Sequence, residues 1–425
     1  MKVLWLTPQL PWPLDQGARI RNYHLLRAVA ARHTVDLLSL EPRPGANAPS
    51  RGALLEGAPV AGNGVPVPLA RLCRRVEVFA APHRSAAQRL RTLLASPLPD
   101  LAWRAWQPAL ARRLRALLLA EAYDLIHISS LEMMPYRRLL PVTARPPLVF
   151  DDLNAEYQLQ RRACLTDLRT PGRLHTGLYS LVQWRRLQRY EARLCAEARA
   201  VVAVSETDAA LLRRIAPDAH LVTLPNGVDT SQFGPAPPPA AAPPTLVFTG
   251  TMDFRPNVDA VVWLADAILP RLRQRYPDLR CLVVGKSPAS AVRAAAKRCP
   301  ALVVTGAVAD VRPYLAAAHV YVVPLRMGSG TRLKVLEAMA AGVPLVSTTL
   351  GLEGVAARPG EHALVADHAE AFAAAVARLL DAPSLRQQLA ARARALAETR
   401  YDWAQLAPRL LALYEALARA PASRE

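Results

Sequence analysis

Residues 322–348, VVPLRMGSGTRLKVLEAMAAGVPLVST, gather the side chains best suited to hold an anion. An apolar run ends at Pro324, a Gly-Ser-Gly turn follows at 328–330, and helical periodicity begins near Thr331. The first amides of such a helix lack intrahelical acceptors, so they point into the preceding loop and form an anion site. Arg332 and Lys334 fall in that first turn, where the helix macrodipole disfavours cations unless an anion sits between them. A diphosphate would justify both. Glu337 lies three residues beyond Lys334 on the same face, where its carboxylate can accept two hydrogen bonds from the vicinal hydroxyls of a ribose. The competing reading is an ordinary surface pair, Lys334 with Glu337, worth about 0.2–0.5 kcal/mol, while Leu333, Leu336 and Ala340 pack inward. The residues alone leave both open.

Other candidates lie where strands should end. His127 closes an apolar run in DLIHISS and is either a cleft residue or a packed histidine. Asp152, Asn154 and Glu156 in DDLNAEY follow the next run, more polar groups than a turn needs, although one of them can cap a helix. Asp15, Gly17 and Arg21 surround the loop after the first strand. Gly17 is either a site of close backbone approach or a turn glycine with positive φ.

The elements that must position these residues alternate between strand and helix. Apolar runs at 3–6, 35–39, 125–128, 148–150, 200–204 and 221–223 read as buried strands in the first half. Helical patterns separate them, with Ile20, Tyr23, Leu26 and Ala30 on one face of the first and a long helix at 179–198. Residues 234–244, GPAPPPAAAPP, read as a proline-stiffened linker. The alternation then restarts, with strands at 246–248, 280–284, 302–304, 320–323 and 344–347. Helices fall at 258–276, 311–318, 332–341, 369–380, 384–397 and 403–418. Alternation of this kind implies parallel sheets covered on both faces, with ligand loops at the carboxyl ends of the strands. The expected division is a first domain at 1–233, the linker at 234–244, a second domain at 245–402, and a C-terminal helix and tail at 403–425 that crosses back onto the first.

Composition sets outer bounds. The chain has 425 residues, 52% hydrophobic and 20% charged, enough for two cores and too apolar for global disorder. Five scattered cysteines, none in a CxxC pair, argue against a zinc site or a disulfide framework. The apolar run before Pro8 is too short for a signal peptide, and no stretch is long enough to span a bilayer, so a cytoplasmic location is expected. Net charge is +19. Residues 1–235 hold 31 Lys and Arg against 19 Asp and Glu. That excess is either a compositional bias toward arginine or an attraction to anionic lipid, a phosphorylated ligand or nucleic acid. Nucleic acid is disfavoured because the basic residues are dispersed and no binding motif is present.

At this point a resemblance carries the reading further. EAMAAGVPLVST is similar to the hallmark of the family 4, "glycosyl transferases group 1" type of retaining GT-B glycosyltransferases. LPNGVDTSQF, LVFTGTMDFRPNVDAVVWL and TGAVADVRPYLAAAHVYVVPL match in the same order, and LTPQLPWPLDQGARIRNYHLLRAV resembles the family's glycine-containing first loop. The resemblance implies two facing Rossmann-like domains and transfer of a sugar from a nucleotide-diphosphate donor to a hydroxyl acceptor with retention. Glu337 matches the second Glu of the family's E-x7-E motif and would bind ribose, while the first Glu is replaced here by Ser329. Two basic residues that commonly hold the diphosphate are replaced by Thr251 and Asn257, so Arg332 and Lys334, and less directly Arg255, are the substitutes. Arg332, Lys334 and His127 form the expected catalytic set. Gly250, Gly328, Ser329, Gly330, Thr331, Leu333 and Glu337 form the expected donor set. Asp15, Gly17, Arg21, Asn154, Glu156 and Arg255 are cleft candidates. No metal or other cofactor is expected.

The implied partners are the nucleotide sugar and a glycan or lipid-linked acceptor, in exopolysaccharide or other cell-surface glycan assembly. Residues 84–119 combine Arg with Leu and Trp at helical spacing, including Trp103, Trp106, Arg112, Arg113 and Arg115. They read either as ordinary surface helices or as a basic amphipathic surface for an anionic membrane. The alternatives to transfer are a sugar epimerase on the same fold and a non-catalytic nucleotide-sugar-binding protein.

Overall fold

A computed structural model describes residues 1–41, 65–141, 146–169, 172, 174–234, 243–328 and 332–419. Most of the linker at 234–244 and three donor candidates, Ser329, Gly330 and Thr331, lie outside the described residues. The chain divides into two units, Met1–Pro225 with Ala407–Glu425, and Asn226–Leu406.

Unit 1 is built on β1 (Lys2–Thr7), β2 (Thr34–Glu41), β3 (Arg75–Ala80), β4 (Leu125–Ser129), β5 (Leu148–Asp152), β6 (Ala200–Ala203) and β7 (Leu221–Thr223). They form one parallel sheet in the order β3-β2-β1-β4-β5-β6-β7. Its helices include α1 (Gly17–Ala30), α2 (Val67–Leu72), α3 (Ala86–Ala95), α4 (Pro108–Ala120), α5 (Glu156–Leu168), α6 (Leu174–Glu197) and α7 (Glu206–Ile215). β1 and β4 are apolar on both faces because both faces are covered, and Val3, Leu4, Leu6, Leu125, Ile126 and Ile128 are fully buried.

Unit 2 repeats the plan with β8 (Thr245–Thr249), β9 (Arg280–Val284), β10 (Leu302–Gly306), β11 (Val320–Val323), β12 (Leu345–Ser347) and β13 (Leu364–Val365). Their order is β10-β9-β8-β11-β12-β13, again parallel throughout. The helices are α8 (Arg255–Trp263), α9 (Leu269–Arg273), α10 (Ser290–Arg298), α11 (Arg312–Ala316), α12 (Leu333–Ala340), α13 (Ala369–Asp381), α14 (Pro383–Leu396) and α15 (Trp403–Arg419). Both sheets therefore reverse direction beside their first strand, between β1 and β4 and between β8 and β11. Ligands of doubly wound sheets bind at that switch, outside the strands' carboxyl ends. The expected α/β, GT-B class of two doubly wound Rossmann-like domains holds, and α15 crosses back, since its residues from Ala407 onward belong to unit 1.

The structure departs from the sequence reading in several places. β3 was not read from sequence: it is an edge strand with Arg75 and Glu77 interleaved among its valines. The helix at 258–276 is two helices joined by a π turn at Leu264–Ile268. The buried face of α1 is not the apolar one expected, because it includes Arg19, Arg21, Asn22 and His24 beside Leu25, Leu26 and Val29. Residues 226–233 fall in unit 2 rather than unit 1. The Val228 N–H bonds the Tyr401 carbonyl at 2.8 Å, and a Cβ on Gly227 would lie 2.7 Å from the Trp403 ring.

The amphipathic stretch divides in two. In α4, Leu110, Leu114 and Leu117 are buried and Arg113 pairs with Glu77 at 2.7 Å. Trp106 stacks on Tyr136 with ring centroids 5.0 Å apart. These residues are ordinary packing, against the expectation of a lipid-facing surface around Trp103 and Trp106. α3 buries no residue at all and exposes Leu90 and Leu94 beside Arg89 and Arg91. α6 begins with a further exposed apolar set, Leu174, Leu178, Tyr179 and Val182. Among the described residues no helix is long and apolar enough to cross a membrane.

Candidate functional site

In unit 2 the candidate site forms where β8 and β11 diverge. Gly250 follows β8 with φ 151°, and its N–H bonds the Val284 carbonyl at 3.0 Å. Gly285, at φ 154°, presses so close that a Cβ there would fall 1.7 Å from the Gly250 carbonyl oxygen. Only a glycine tolerates that approach. After β11 the chain reaches Gly328 and returns at Arg332, which precedes α12 and is 9% exposed. A Cβ on Gly328 would sit 3.2 Å from Arg332 Nη2, so the guanidinium lies against Gly328.

Lys334, in the first turn of α12, projects across the switch to the neighbouring β8–α8 connection. Its Nζ donates to Asn257 Oδ1 at 2.8 Å and stands 4.2 Å from the centroid of the Phe248 ring. Asn257, 6% exposed, in turn donates from Nδ2 to the Thr251 carbonyl at 2.9 Å. Burial lowers the Lys334 ammonium to about 7, Arg332 pushes the same way, and Glu337 opposes them. Burial raises the Glu337 carboxyl, and Lys334 opposes that rise. The arrangement is a cation-rich helix start with one carboxylate a turn further along, suited to a diphosphate followed by a diol.

The other unit 2 candidates separate from this group. The part-buried Leu333 side chain packs against the unit's apolar core. Arg255 is exposed at the first residue of α8. Sequence reading treated Asn257 only as a missing cation and did not see that it holds Lys334. A polar residue on the buried face of α8, beside Pro256, Ala260 and Val261, was the available signal.

In unit 1 the candidates behind β1 and β4 turn inward. Arg21, 1% exposed, bonds Asp151 through Nε at 3.0 Å and Nη2 at 2.6 Å, and the Leu224 carbonyl through Nη1 at 2.9 Å. Burial alone would raise the Asp151 carboxyl, but Arg21 and His127 outweigh it and hold it down to about 2. His127 is fully buried. It stacks on Trp5 at 3.8 Å, meets the Tyr414 hydroxyl at 2.7 Å through Nδ1, and has Asp151 at 3.9 Å from Nε2. Burial lowers its pKa, and Asp151 opposes that fall. Arg21 and His127 are both parts of a buried network within unit 1 that reaches α15 through Tyr414, the packed-histidine alternative for His127.

Gly17 opens α1 and is not in the left-handed region, which removes the turn-glycine reading. Asp15 is exposed and pairs with Arg19 at 2.9 Å. Asn154 and Glu156 remain at the start of α5, part-buried and 3.4 Å apart, with burial pushing the Glu156 carboxyl up to about 7. Behind them Glu191 caps α5, accepting the Glu156 and Tyr157 N–H groups at 2.8 Å each. Asp152 is 1% exposed, and burial followed by Glu191, Glu156 and Asp208 raises it well above the usual carboxylate range. Among the described residues no three His, Cys, Asp or Glu side chains are grouped to hold a metal ion.

The Glycosyltransferase Family 4 profile matches residues 16–232, just over half of the chain, and the profile for Glycosyl transferases group 1 matches 243–382. A phosphatidyl-myo-inositol mannosyltransferase of Mycobacterium tuberculosis is 35% identical over 209 residues, 46% of this chain and 54% of the relative. The chain thus spans about half the length of the curated relatives it matches. Sucrose-phosphate synthase from Thermosynechococcus elongatus superimposes with a TM-score of 0.69 at 19% identity, covering 98% of each chain. Anabaena HepE, solved with UDP and glucose, gives 0.65 at 16% identity, covering 98% of this chain and 100% of that one.

Proposed function

This chain belongs to glycosyltransferase family 4, and we propose that it transfers a sugar from a nucleotide-diphosphate donor to a hydroxyl acceptor with retention of configuration. The observation that carries this is the start of α12, where Arg332 lies against Gly328, Lys334 lies against Gly250, and Glu337 follows one turn along the helix. Arg332, Lys334 and the first amides of α12 hold the diphosphate, and Glu337 accepts the ribose hydroxyls. During transfer the bond from the anomeric carbon to the diphosphate oxygen breaks, and the acceptor oxygen attacks from the same face. The acceptor proton passes to the departing phosphate oxygen. Negative charge grows on that oxygen, and cations fixed in place before reaction stabilise it without reorganising. The chain's own residues supply this charge, so no metal is required.

The acceptor is a hydroxyl of a lipid-linked polyol or glycan in cell-surface assembly, received by unit 1 beside Asn154 and Glu156. The mannosyltransferase relative, whose name carries a phosphatidylinositol, supports a lipid acceptor over a free polysaccharide. A lipid acceptor would bring unit 1 to an anionic membrane, and the exposed leucines of α3 and of the start of α6, with Arg89 and Arg91, are the surface for it. A panel of UDP-, GDP-, ADP- and dTDP-sugars in thermal-shift and turnover assays tests the function. Binding of none of them at millimolar concentration would defeat it.

A further inference from the structure

Resting on the reading of α12 as a diphosphate site, we propose that Asn257 is the residue that positions the Lys334 ammonium. What unit 2 requires is a cation at this point in space, whether it is carried by position 334 or by position 257.

Lysine has a flexible four-carbon stem and three rotatable donors, so on its own it makes an imprecise anion ligand. Here three neighbours remove that freedom. Asn257 Oδ1 takes one N–H at 2.8 Å, and the Phe248 ring offers its negative face at 4.2 Å. Gly250 leaves the room: a Cβ there would lie 2.8 Å from Nζ and 2.7 Å from Asn257 Nδ2. The amide is itself oriented, because Nδ2 donates to the Thr251 carbonyl at 2.9 Å and leaves Oδ1 as the atom that meets the ammonium.

The choice of an amide over a carboxylate matters. An aspartate in this place would hold Lys334 equally well but would cancel its charge, leaving little field for a bound anion. A neutral carbonyl oxygen and an aromatic face fix the ammonium without placing an opposing charge on it, so a bound anion meets no competing carboxylate at this contact. Asn257 has no exposed surface to speak of, and a buried amide is costly unless both ends are bonded. Its two partners, Thr251 and Lys334, answer that requirement and commit the residue to this role. Because Nζ and Oδ1 are in contact, exchanging the two residue types returns an ammonium and an amide to nearly the same pair of places.

The test is calorimetry of the full chain with UDP, GDP and the matching nucleosides, using whichever pair the wild type binds, with melting curves to verify folding. Lys334→Asn should weaken nucleoside diphosphate binding by roughly 10–100-fold, with nucleoside binding little changed. The exchanged double variant, Lys334→Asn with Asn257→Lys, should recover most of that loss. Asn257→Asp should weaken the diphosphate by cancelling charge, and Asn257→Leu by releasing the ammonium, both sparing the nucleoside. If the exchange does not fold, these two single variants decide. The proposal is overturned if the folded exchange binds no better than Lys334→Asn, or if Asp and Leu at 257 leave diphosphate affinity at the wild-type value. A wild type that binds no nucleoside diphosphate overturns the diphosphate reading itself.

Discussion

Replacing Lys334 by methionine should make the unliganded protein more stable while destroying its hold on a diphosphate. Burial and Arg332 lower this ammonium to about 7, far below the range of a free lysine. Its folded-state pKa is therefore below its unfolded one, and protonation favours the unfolded chain. The cost is fully present below about pH 7 and fades as pH rises toward the value of the free side chain. Each tenfold separation of the two affinities for a proton is worth about 1.36 kcal/mol. The residue is only part-buried and water screens some of this, and losing the donor to Asn257 Oδ1 offsets at least about 1 kcal/mol more, so a net gain of about 0.5–2 kcal/mol near pH 7 is expected for Lys334→Met, which keeps the stem. Urea denaturation between pH 6 and pH 9.5 measures it: the gain should shrink steadily above pH 7. Added nucleoside diphosphate should reverse the order, stabilising the wild type alone. A variant less stable than the wild type at pH 7, or a gain that ignores pH, would refute the account of a strained, ligand-awaiting ammonium.

Further outcomes follow from the same structure. Glu337→Ala should weaken nucleoside and nucleoside diphosphate alike, by about 1.5–3 kcal/mol in calorimetry, because it acts on the ribose; a loss confined to the diphosphate would remove it from the sugar. Arg21→Met leaves Asp151 charged and buried, so a loss of about 3–5 kcal/mol in denaturant titration is expected, and a loss under 1 kcal/mol would mean the pair is dispensable. Asp152 and Glu191 are both raised, Glu191 to about 8, so their protonated forms stabilise the fold at low pH and that contribution is lost as pH rises toward 8. Asp152→Asn should flatten the decline in melting temperature between pH 5 and pH 8.5, and an unchanged slope would contradict this. Changing Leu90, Leu94 and Leu178 together to Ser should abolish low-salt pelleting with phosphatidylglycerol vesicles while Arg113→Glu, whose partner is Glu77, has little effect; pelleting that follows Arg113 instead would restore α4 as the contact.

Local pattern carried most of the architecture. The central strands of both sheets are short apolar runs because helices cover both faces, and that pattern needs no distant information. β3 escaped because an edge strand keeps one side open, and its Arg75 and Glu77 break the run. β13 has two residues and no pattern to detect. Individual side chains were harder to place than strands. His127 in DLIHISS looks the same whether it faces a ligand or a core. The Tyr414 hydroxyl that meets its Nδ1 comes from α15, 287 residues away. Arg21 and Asp151 are 130 residues apart, and Lys334 and Asn257 are 77 apart. Each pairing depends on which strands become neighbours across the switch, and strand order is not written in any one segment.

The two switch points differ in what surrounds their charges, and that difference separates scaffold from site more firmly than residue type does. Behind β1 and β4, Arg21 meets a carboxylate in a bidentate pair, burial lowers the pKa of the His127 imidazole, and Tyr414 closes the group; all are almost wholly buried. Such a network is matched charge for charge and offers nothing to a ligand. Behind β8 and β11, Arg332 and Lys334 stand close enough that the guanidinium depresses the ammonium, and the partners of that ammonium are an amide oxygen and an aromatic face. Two neighbouring cations, one of them held by neutral groups, repel each other, and an added anion would lower that energy. A fold tolerates such an arrangement where function depends on it. The same logic explains why Arg21 and Lys334 can look equally suited to a ligand in sequence: both are cations, and only the partner, a carboxylate for one and an amide for the other, tells them apart.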